Sequence, residues 1–138
     1  SPWTLDQIKA FSVASEEISH FHYLVFNLDR GRPVSEFEIE LQGEIDKFLL
    51  LFFSNSFQSL TGETKFEAIF NQLFINYRLA SFLNESQKQR YIDASIYAKK
   101  FFQKMKKQLT EPSCKAGVLK KTRLFYQMDL AEKMAFLG

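Results

Sequence analysis

The first thirty residues carry apolar side chains at intervals of three and four, which is the spacing of one face of an α-helix. Thr4 and Gln7 form a capping box, so we expect a helix of about 25 residues that begins there and ends within Asp29–Pro33. The positions expected to face the core are Ile8, Phe11, Ala14, Ile18, Phe21, Val25 and Leu28. A second apolar row consists of Val13, Leu24 and Phe26. Two apolar rows indicate either a central helix or a helix that offers one face to a partner.

A second capping box, formed by Ser35 and Glu38, predicts the start of another helix. Its inward stripe is predicted to be Phe37, Leu41, Ile45, Phe48 and Phe52. Residues 37–41 also alternate with period two, which is typical of a half-buried strand. We favour the helix because helical spacing returns after residue 41 and no second strand is predicted that would pair with this one.

A third helix is expected from about Thr64 to Leu83, after the polar, turn-rich segment 54–63. Its apolar face is predicted to be Phe66, Ile69, Phe70, Leu73, Phe74, Tyr77 and Phe82.

Two further helices are predicted in the C-terminal part of the chain. Asn84 and Gln87 can cap a helix that continues to about residue 109 and is broken by residues 110–113. Its inward positions are predicted to be Tyr91, Ala94, Ala98, Phe102, Met105 and Leu109. The last helix is expected over residues 115–137. Its inward positions are predicted to be Leu119, Tyr126, Leu130 and Met134.

Five helices with short connections predict one all-α domain over residues 1–138, a helical bundle of about five helices. Hydrophobic residues make up 46% of the chain, which is enough to build a core at this length. The sixteen Phe, beside five Tyr and one Trp, predict a Phe-rich interior with few polar handles. Because the sequence does not begin with Met, we also expect that it is excised from a longer chain.

A cytoplasmic location is expected from the cysteine content and the apolar runs. The single Cys114 cannot form an internal disulfide, which favours a reducing compartment. The apolar run 48–53 is far shorter than the roughly 20 residues that span a bilayer. The N-terminal segment also has no basic region followed by an apolar one, so it does not resemble a secretion signal.

The net charge of +2 conceals an uneven distribution of charge. Residues 1–87 hold six Lys or Arg against twelve Asp or Glu, and residues 88–138 hold twelve against four. The basic cluster consists of Lys99, Lys100, Lys104, Lys106, Lys107, Lys115, Lys120, Lys121 and Arg123. An amphipathic basic helix is typical of contact with anionic membranes, nucleic acid or acidic partner helices. The alternatives are a solvated surface, or neutralisation by the chain's own Glu36, Glu38, Glu40 and Glu44.

The sharpest chemical candidate is the pair Glu17 and His20, which are three residues apart on one helix. Carboxylate-bridged metal bundles use this spacing, but they need a second such pair, and the chain has only one other histidine, His22. Glu44, Asp46 or Asp93 could complete a different site. The more ordinary interpretations are a surface Glu–His pair and a core or boundary His22.

Two arginines, Arg30 and Arg32, lie in the compact segment 29–33 and form a candidate recognition loop for carboxylate or phosphate. The favoured alternative is that they pair with Glu36, Glu38 or the end of the first helix.

No catalytic motif stands out in the sequence. Cys114 has no neighbouring His to act as a base, and neither phosphate-binding glycine motif is present. We therefore predict a non-enzymatic interaction module that needs no cofactor, binds another protein and offers the basic C-terminal surface as a candidate interface. A second hypothesis is a bundle that holds a small ligand or a metal through Glu17 and His20. A third is weak binding of anionic lipid or nucleic acid.

Overall fold

The chain folds into α-helices throughout the part that the structure describes. The computed structural model describes residues 3–54, 57, 59–76, 79–111 and 115–138. The helices are α1 (Leu5–Asp29), α2 (Glu36–Phe53), α3 (Gly62–Phe70), α4 (Glu85–Thr110), α5 (Lys115–Gln127) and α6 (Leu130–Leu137). Helix α3 continues into a π-helical turn, Asn71–Ile75. No strand occurs within these ranges, so the predicted all-α bundle is confirmed and residues 37–41 are helical.

Within the described residues, four helices begin with a complete capping box, in which each partner's side chain accepts a hydrogen bond from the other's backbone N–H. The pairs are Thr4 with Gln7, Ser35 with Glu38, Asn84 with Gln87, and Asp129 with Glu132. The first three confirm the predicted starts of α1, α2 and α4. The predicted end of α1 is confirmed at Asp29.

Helix α2 is the centre of the fold, since it packs against α1, α3 and α4. The predicted inward stripe of α2 is confirmed. Four of its five members are buried, and Phe37 is partly buried. The buried members are Leu41, Ile45, Phe48 and Phe52.

Phenylalanine rings from four segments meet around Phe48. Its ring stacks on Phe102 of α4 with the centroids 3.8 Å apart, and it also contacts Phe66 of α3 and Phe74 of the π-helical turn. All four side chains are at most 2% exposed. This cluster confirms the predicted Phe-rich core and fixes the positions of α2, α3 and α4.

Helix α1 turns a different face inward from the one predicted, so that prediction is wrong. Of the seven residues expected in the core only Ile8 is buried. At least 42% of the side-chain surface is exposed at Ile18, Phe21, Val25 and Leu28. The other buried residues of α1 are Ser15, Ser19, Tyr23 and Asn27. The side of α1 that packs on the domain is therefore mostly polar.

The segment predicted as the third helix ends earlier than its apolar spacing indicated. Helical structure stops at Ile75, and Phe82, which we expected on the inner face, is 86% exposed in the loop before α4. Tyr77, also predicted to face inward, lies outside the described residues. The predicted helical stripe is confirmed as far as Phe74.

The C-terminal segment forms two helices instead of one. Asp129 caps a new helix, α6, and so interrupts the long helix that was predicted. The inward positions shift accordingly: Leu119 is 48% exposed, and the predicted Tyr126, Leu130 and Met134 are only partly buried. The buried residues of this segment are Val118, Phe125, Lys133 and Leu137.

None of the described helices is both long enough and apolar enough to cross a membrane.

Candidate functional site

The outward face of α1 carries a row of apolar side chains, which we name the α1 seam. The α1 seam consists of Phe11, Ala14, Ile18, Phe21, Val25 and Leu28. Phe11 is partly covered by Trp3, with the ring centroids 4.8 Å apart, whereas Phe21 and Leu28 are 66% and 72% exposed. Soluble domains scatter exposed apolar residues singly, so a contiguous row marks a contact surface.

The inner face of α1 is polar because α2 supplies polar partners for it. Ser19 Oγ donates to one carboxylate oxygen of Asp46 at 2.6 Å, and Gln42 Nε2 donates to the other at 2.8 Å. Burial raises the pKa of Asp46 even though both hydrogen bonds favour its charged form. These bonds anchor α1 by its polar side and leave the α1 seam facing outward.

Arg32, one of the two arginines of the candidate recognition loop, is held inside a hydrogen-bond network. Its guanidinium donates to Glu38 at 3.0 Å, to Asn27 Oδ1 at 2.8 Å and to the Tyr23 hydroxyl at 3.1 Å. Although burial opposes it, hydrogen bonds from Ser35 and Arg32 hold the pKa of Glu38 below its ordinary value. The internal pairing that the sequence offered as the alternative is therefore present at Arg32.

Arg30 is more exposed than Arg32 and makes weaker contacts. Its guanidinium lies 5.0 Å from the centroid of the Phe26 ring, and it donates to the carbonyl of Gln127 at 3.4 Å. A recognition role for this loop stays a prediction, and Arg30 is the arginine that remains accessible for it.

The basic cluster is divided between two sides of α4. Lys106 faces α3, where it contacts Glu67 at 2.6 Å and Glu63 at 3.2 Å. Lys104 instead lies over the ring of Phe136 in α6, and Lys100 lies over Tyr97 in its own helix. The exposed members of the cluster are Lys104, Lys107, Lys120, Lys121 and Arg123, and Lys99 is half-buried. The side chain of Lys115 is outside the described part of the structure.

The acidic residues of α2 do not neutralise the basic cluster in the way the sequence suggested. Glu36 pairs with Arg90 at 2.7 Å, and Glu38 pairs with Arg32. Glu44 pairs with Lys47, and Glu40 faces His20. The acidic partners observed for the cluster itself are the two glutamates of α3 that contact Lys106.

Glu17 and His20, the metal candidates from the sequence, differ in exposure although they are only three residues apart on α1. Glu17 is exposed, whereas His20 faces α2 with Nε2 3.7 Å from Oε2 of Glu40. Ligand atoms of Glu16, His20 and Glu40 all lie within 4.8 Å of one another. The structure thus brings Glu16 and Glu40 to the histidine. The signal in the sequence is the four-residue spacing of Glu16 and His20, which places both side chains on one helical face.

A buried ion pair lies beside this cluster. Lys47 Nζ donates to Glu44 at 2.9 Å and lies 3.9 Å from Glu16. The pair forms part of the wall of a cleft of about 320 Å³ between α1, α2, α4 and the loop before α4. Other residues of the cleft wall are Val13, Leu73, Leu79, Ala80, Phe82, Leu83, Tyr91 and Ser95. The small-ligand role that the sequence suggested involves Glu17 and His20, which are not among the wall residues of this cleft, and it stays a prediction.

Comparison with known proteins gives no family to which the chain can be assigned. It matches no protein-family model, no curated protein and no solved structure. The interpretation of its surfaces therefore depends on their geometry and chemistry.

Proposed function

We propose that the chain is a non-enzymatic interaction module that pairs with a second copy of itself through the α1 seam. The observation that supports this is a row of exposed apolar residues on the side of α1 that faces away from its own domain. The α1 seam follows the a and d positions of a heptad repeat, which is the spacing of a coiled-coil interface, and the neighbouring Val13 and Leu24 are also exposed.

The residue types in the α1 seam favour a parallel pair of helices. Counted in heptads from Phe11, Ile18 and Val25 occupy the a positions, and Phe21 and Leu28 occupy the d positions. Branched Ile and Val at a with Leu at d favour two parallel strands. A parallel pair about a two-fold axis buries the same patch on both copies and closes on itself.

The residues beside the α1 seam are complementary in this arrangement. Glu17 occupies a g position and His22 occupies the following e position, and both are exposed. In a parallel pair, the g residue of one helix faces the e residue of its partner in the next heptad. Each Glu17 carboxylate would thus face the His22 imidazole of the other copy, and this contact occurs twice.

The area of the α1 seam suits a weak dimer. Its four most exposed side chains can bury on the order of 450 Å² per copy, given that one aromatic side chain buries about 150–250 Å². A standard interface buries about 800 Å² per partner. We therefore expect self-association with a dissociation constant in the micromolar range.

The basic C-terminal surface is not the interface in this proposal, because its lysines are divided between two sides of α4. Weak, salt-sensitive binding of anionic lipid or nucleic acid by the exposed lysines remains a separate prediction. A cytoplasmic location likewise remains an expectation that nothing described above tests.

Sedimentation equilibrium over a wide concentration range tests the pairing. We expect Phe21→Gln and Leu28→Gln each to raise the dimer dissociation constant at least tenfold without changing the far-UV circular dichroism, since both residues are exposed. Leu124→Gln is the matched control, because Leu124 is a leucine of α5 that is 51% exposed and lies outside the α1 seam. A wild-type protein that stays monomeric at millimolar concentration would contradict the proposal.

Disulfide trapping tests the parallel direction. In a Cys114→Ser background, Leu28→Cys should crosslink to the same position of a second copy, because equal d positions face each other in a parallel pair. In an antiparallel pair centred on Phe21, position 28 instead faces position 14. The parallel arrangement would be overturned if a disulfide formed efficiently between Leu28→Cys of one copy and Ala14→Cys of the other, but not between two copies of Leu28→Cys.

A further inference from the structure

Four titratable side chains meet where α1 lies on α2. Glu16 and His20 are one turn apart on α1, and Glu40 and Glu44 are one turn apart on α2. Ligand atoms of the first three lie within 4.8 Å of one another. Glu44 is already engaged by Lys47 at 2.9 Å. The histidine and the other two glutamates therefore form a small cluster with mixed nitrogen and oxygen donors.

Two atoms of this cluster are buried without a hydrogen-bond partner among the described residues. They are His20 Nε2 and Glu40 Oε2, which are 3.7 Å apart and hence too distant to bond to each other. Buried polar atoms are almost always satisfied, so two adjacent exceptions require an explanation. A bound ion between them would satisfy both.

Gly43 provides the space that the cluster occupies. A Cβ at this position would lie 2.9 Å from His20 Nε2 and 3.4 Å from Cγ of Glu16. The imidazole therefore rests directly against the backbone of α2, a position that any larger residue would obstruct. This places the ring nitrogen at the level of Glu40, within the α1–α2 interface.

The charges around the cluster favour a cation. Three carboxylates, Glu16, Glu40 and Glu44, lie near two cationic groups, the Lys47 ammonium and the Arg90 guanidinium. The carboxylates outnumber the cationic groups here, so a bound divalent cation would compensate their charge.

We propose that Glu16, His20 and Glu40 bind a divalent first-row transition metal ion such as Zn²⁺. One imidazole nitrogen with two carboxylate oxygens suits zinc and its neighbours, whereas Ca²⁺ and Mg²⁺ take oxygen ligands alone. Glu16 also lines the cleft of about 320 Å³, which gives an ion a route to the site. Three protein ligands would leave a coordination position for water or a small anion from that cleft.

Calorimetric titration of tag-free, chelator-treated protein with Zn²⁺ tests the site. We expect one ion per chain, and at least tenfold weaker binding in His20→Gln and in Glu40→Gln. The matched control is Glu85→Gln, because Glu85 is an exposed glutamate of α4 outside both the cluster and the α1 seam, and the change should leave the affinity unchanged. Repeating the titration with the Leu28→Gln variant separates metal binding from pairing through the α1 seam.

Nuclear magnetic resonance of the imidazole nitrogens supplies a second readout. The chain has only two histidines, so the His22→Gln variant assigns the His20 signals directly. Zn²⁺ should shift the ring nitrogens of His20 and leave those of His22 in place. The absence of Zn²⁺ and Co²⁺ binding to the wild type would overturn the proposal. Binding that persists unchanged in folded His20→Gln and Glu40→Gln proteins, checked by circular dichroism, would overturn it as well.

Discussion

Lys133 is the residue whose environment departs most from what its type would suggest. It is fully buried, which is rare for lysine. Its ammonium group donates to the Tyr23 hydroxyl at 2.9 Å and to the carbonyls of Tyr126 and Met128. Burial, reinforced by the nearby charge of Arg32, lowers the pKa of Lys133 to about 8. This one side chain joins α1 to the junction between α5 and α6.

The lowered pKa of Lys133 predicts a protein that becomes more stable as the pH rises above about 8. Between that value and the ordinary lysine pKa the unfolded chain binds more protons than the folded one, so the free energy of unfolding increases with pH. Urea unfolding at pH 7.5 and 9.5 should show a gain of about 1–2 kcal/mol in the wild type. Lys133→Met should lack that gain whatever its overall stability. Equal gains in both proteins would refute the assignment.

Gly43 of α2 and Gly117 of α5 should respond in opposite ways to the same substitution. Gly117→Ala adds a methyl group in open space, so it should raise the free energy of unfolding by about 0.5–1 kcal/mol through helix propensity. Gly43→Ala pushes against the His20 ring and should lower it by about 1 kcal/mol. Thermal and urea unfolding of both variants measure the two changes in the free energy of unfolding. Stabilisation by Gly43→Ala would show that His20 moves aside at little cost.

At the level of elements, the capping boxes and the apolar periodicity of α2 and α4 were sufficient to predict where those helices start and which face is buried. For α1 the capping box predicted the start, but the periodicity did not predict the buried face, because an apolar row and a polar row compete. The polar row is buried because its partners, such as Asp46 for Ser19 and Lys133 for Tyr23, lie 27 and 110 residues away. The periodicity of a single helix cannot indicate partners that lie so far away in the sequence.

The boundary between α5 and α6 depends on Asp129, which the periodicity did not reveal. Its side chain accepts a hydrogen bond from the backbone N–H of Glu132 and so caps α6. Asp129→Ala should lower the free energy of unfolding by about 1 kcal/mol, the usual loss for an N-cap. Asp129→Ser keeps a capping oxygen and should retain most of the stability. Chemical denaturation measures the free energy of unfolding of both variants. Equal losses in the two would contradict a capping role for the Asp129 side chain.

At the level of the whole molecule, ion pairs connect the acidic and basic halves of the chain across the fold. Glu36 of α2 binds Arg90 of α4, and Glu67 of α3 binds Lys106 of α4. The charge imbalance was visible in the sequence, but these pairings depend on how α4 packs. The same limit applies to the candidate metal site, since Glu40 reaches His20 only when α1 lies on α2.

The phenylalanine cluster should dominate the stability of the whole domain. Phe48→Ala removes the ring that contacts α3 and α4, so the free energy of unfolding should fall by about 3–5 kcal/mol. Phe82→Ala is the matched control, because that ring is 86% exposed and its removal should cost less than about 0.5 kcal/mol. Calorimetry or denaturant titration measures the free energy of unfolding of both variants. Similar losses in the two variants would show that the core is not organised around Phe48.

The contact between Trp3 and Phe11 determines what an optical measurement on this protein can report. Trp3 is the only indole in the chain and packs at the N-terminal end of α1, remote in sequence from the phenylalanines around Phe48. Its fluorescence emission therefore reports whether the N-terminal end of α1 is packed, while circular dichroism reports the helical content of the whole chain. If the Trp3 emission changes at a lower denaturant concentration than the circular dichroism, the N-terminal end of α1 detaches before the other helices unfold, and the domain does not fold in two states.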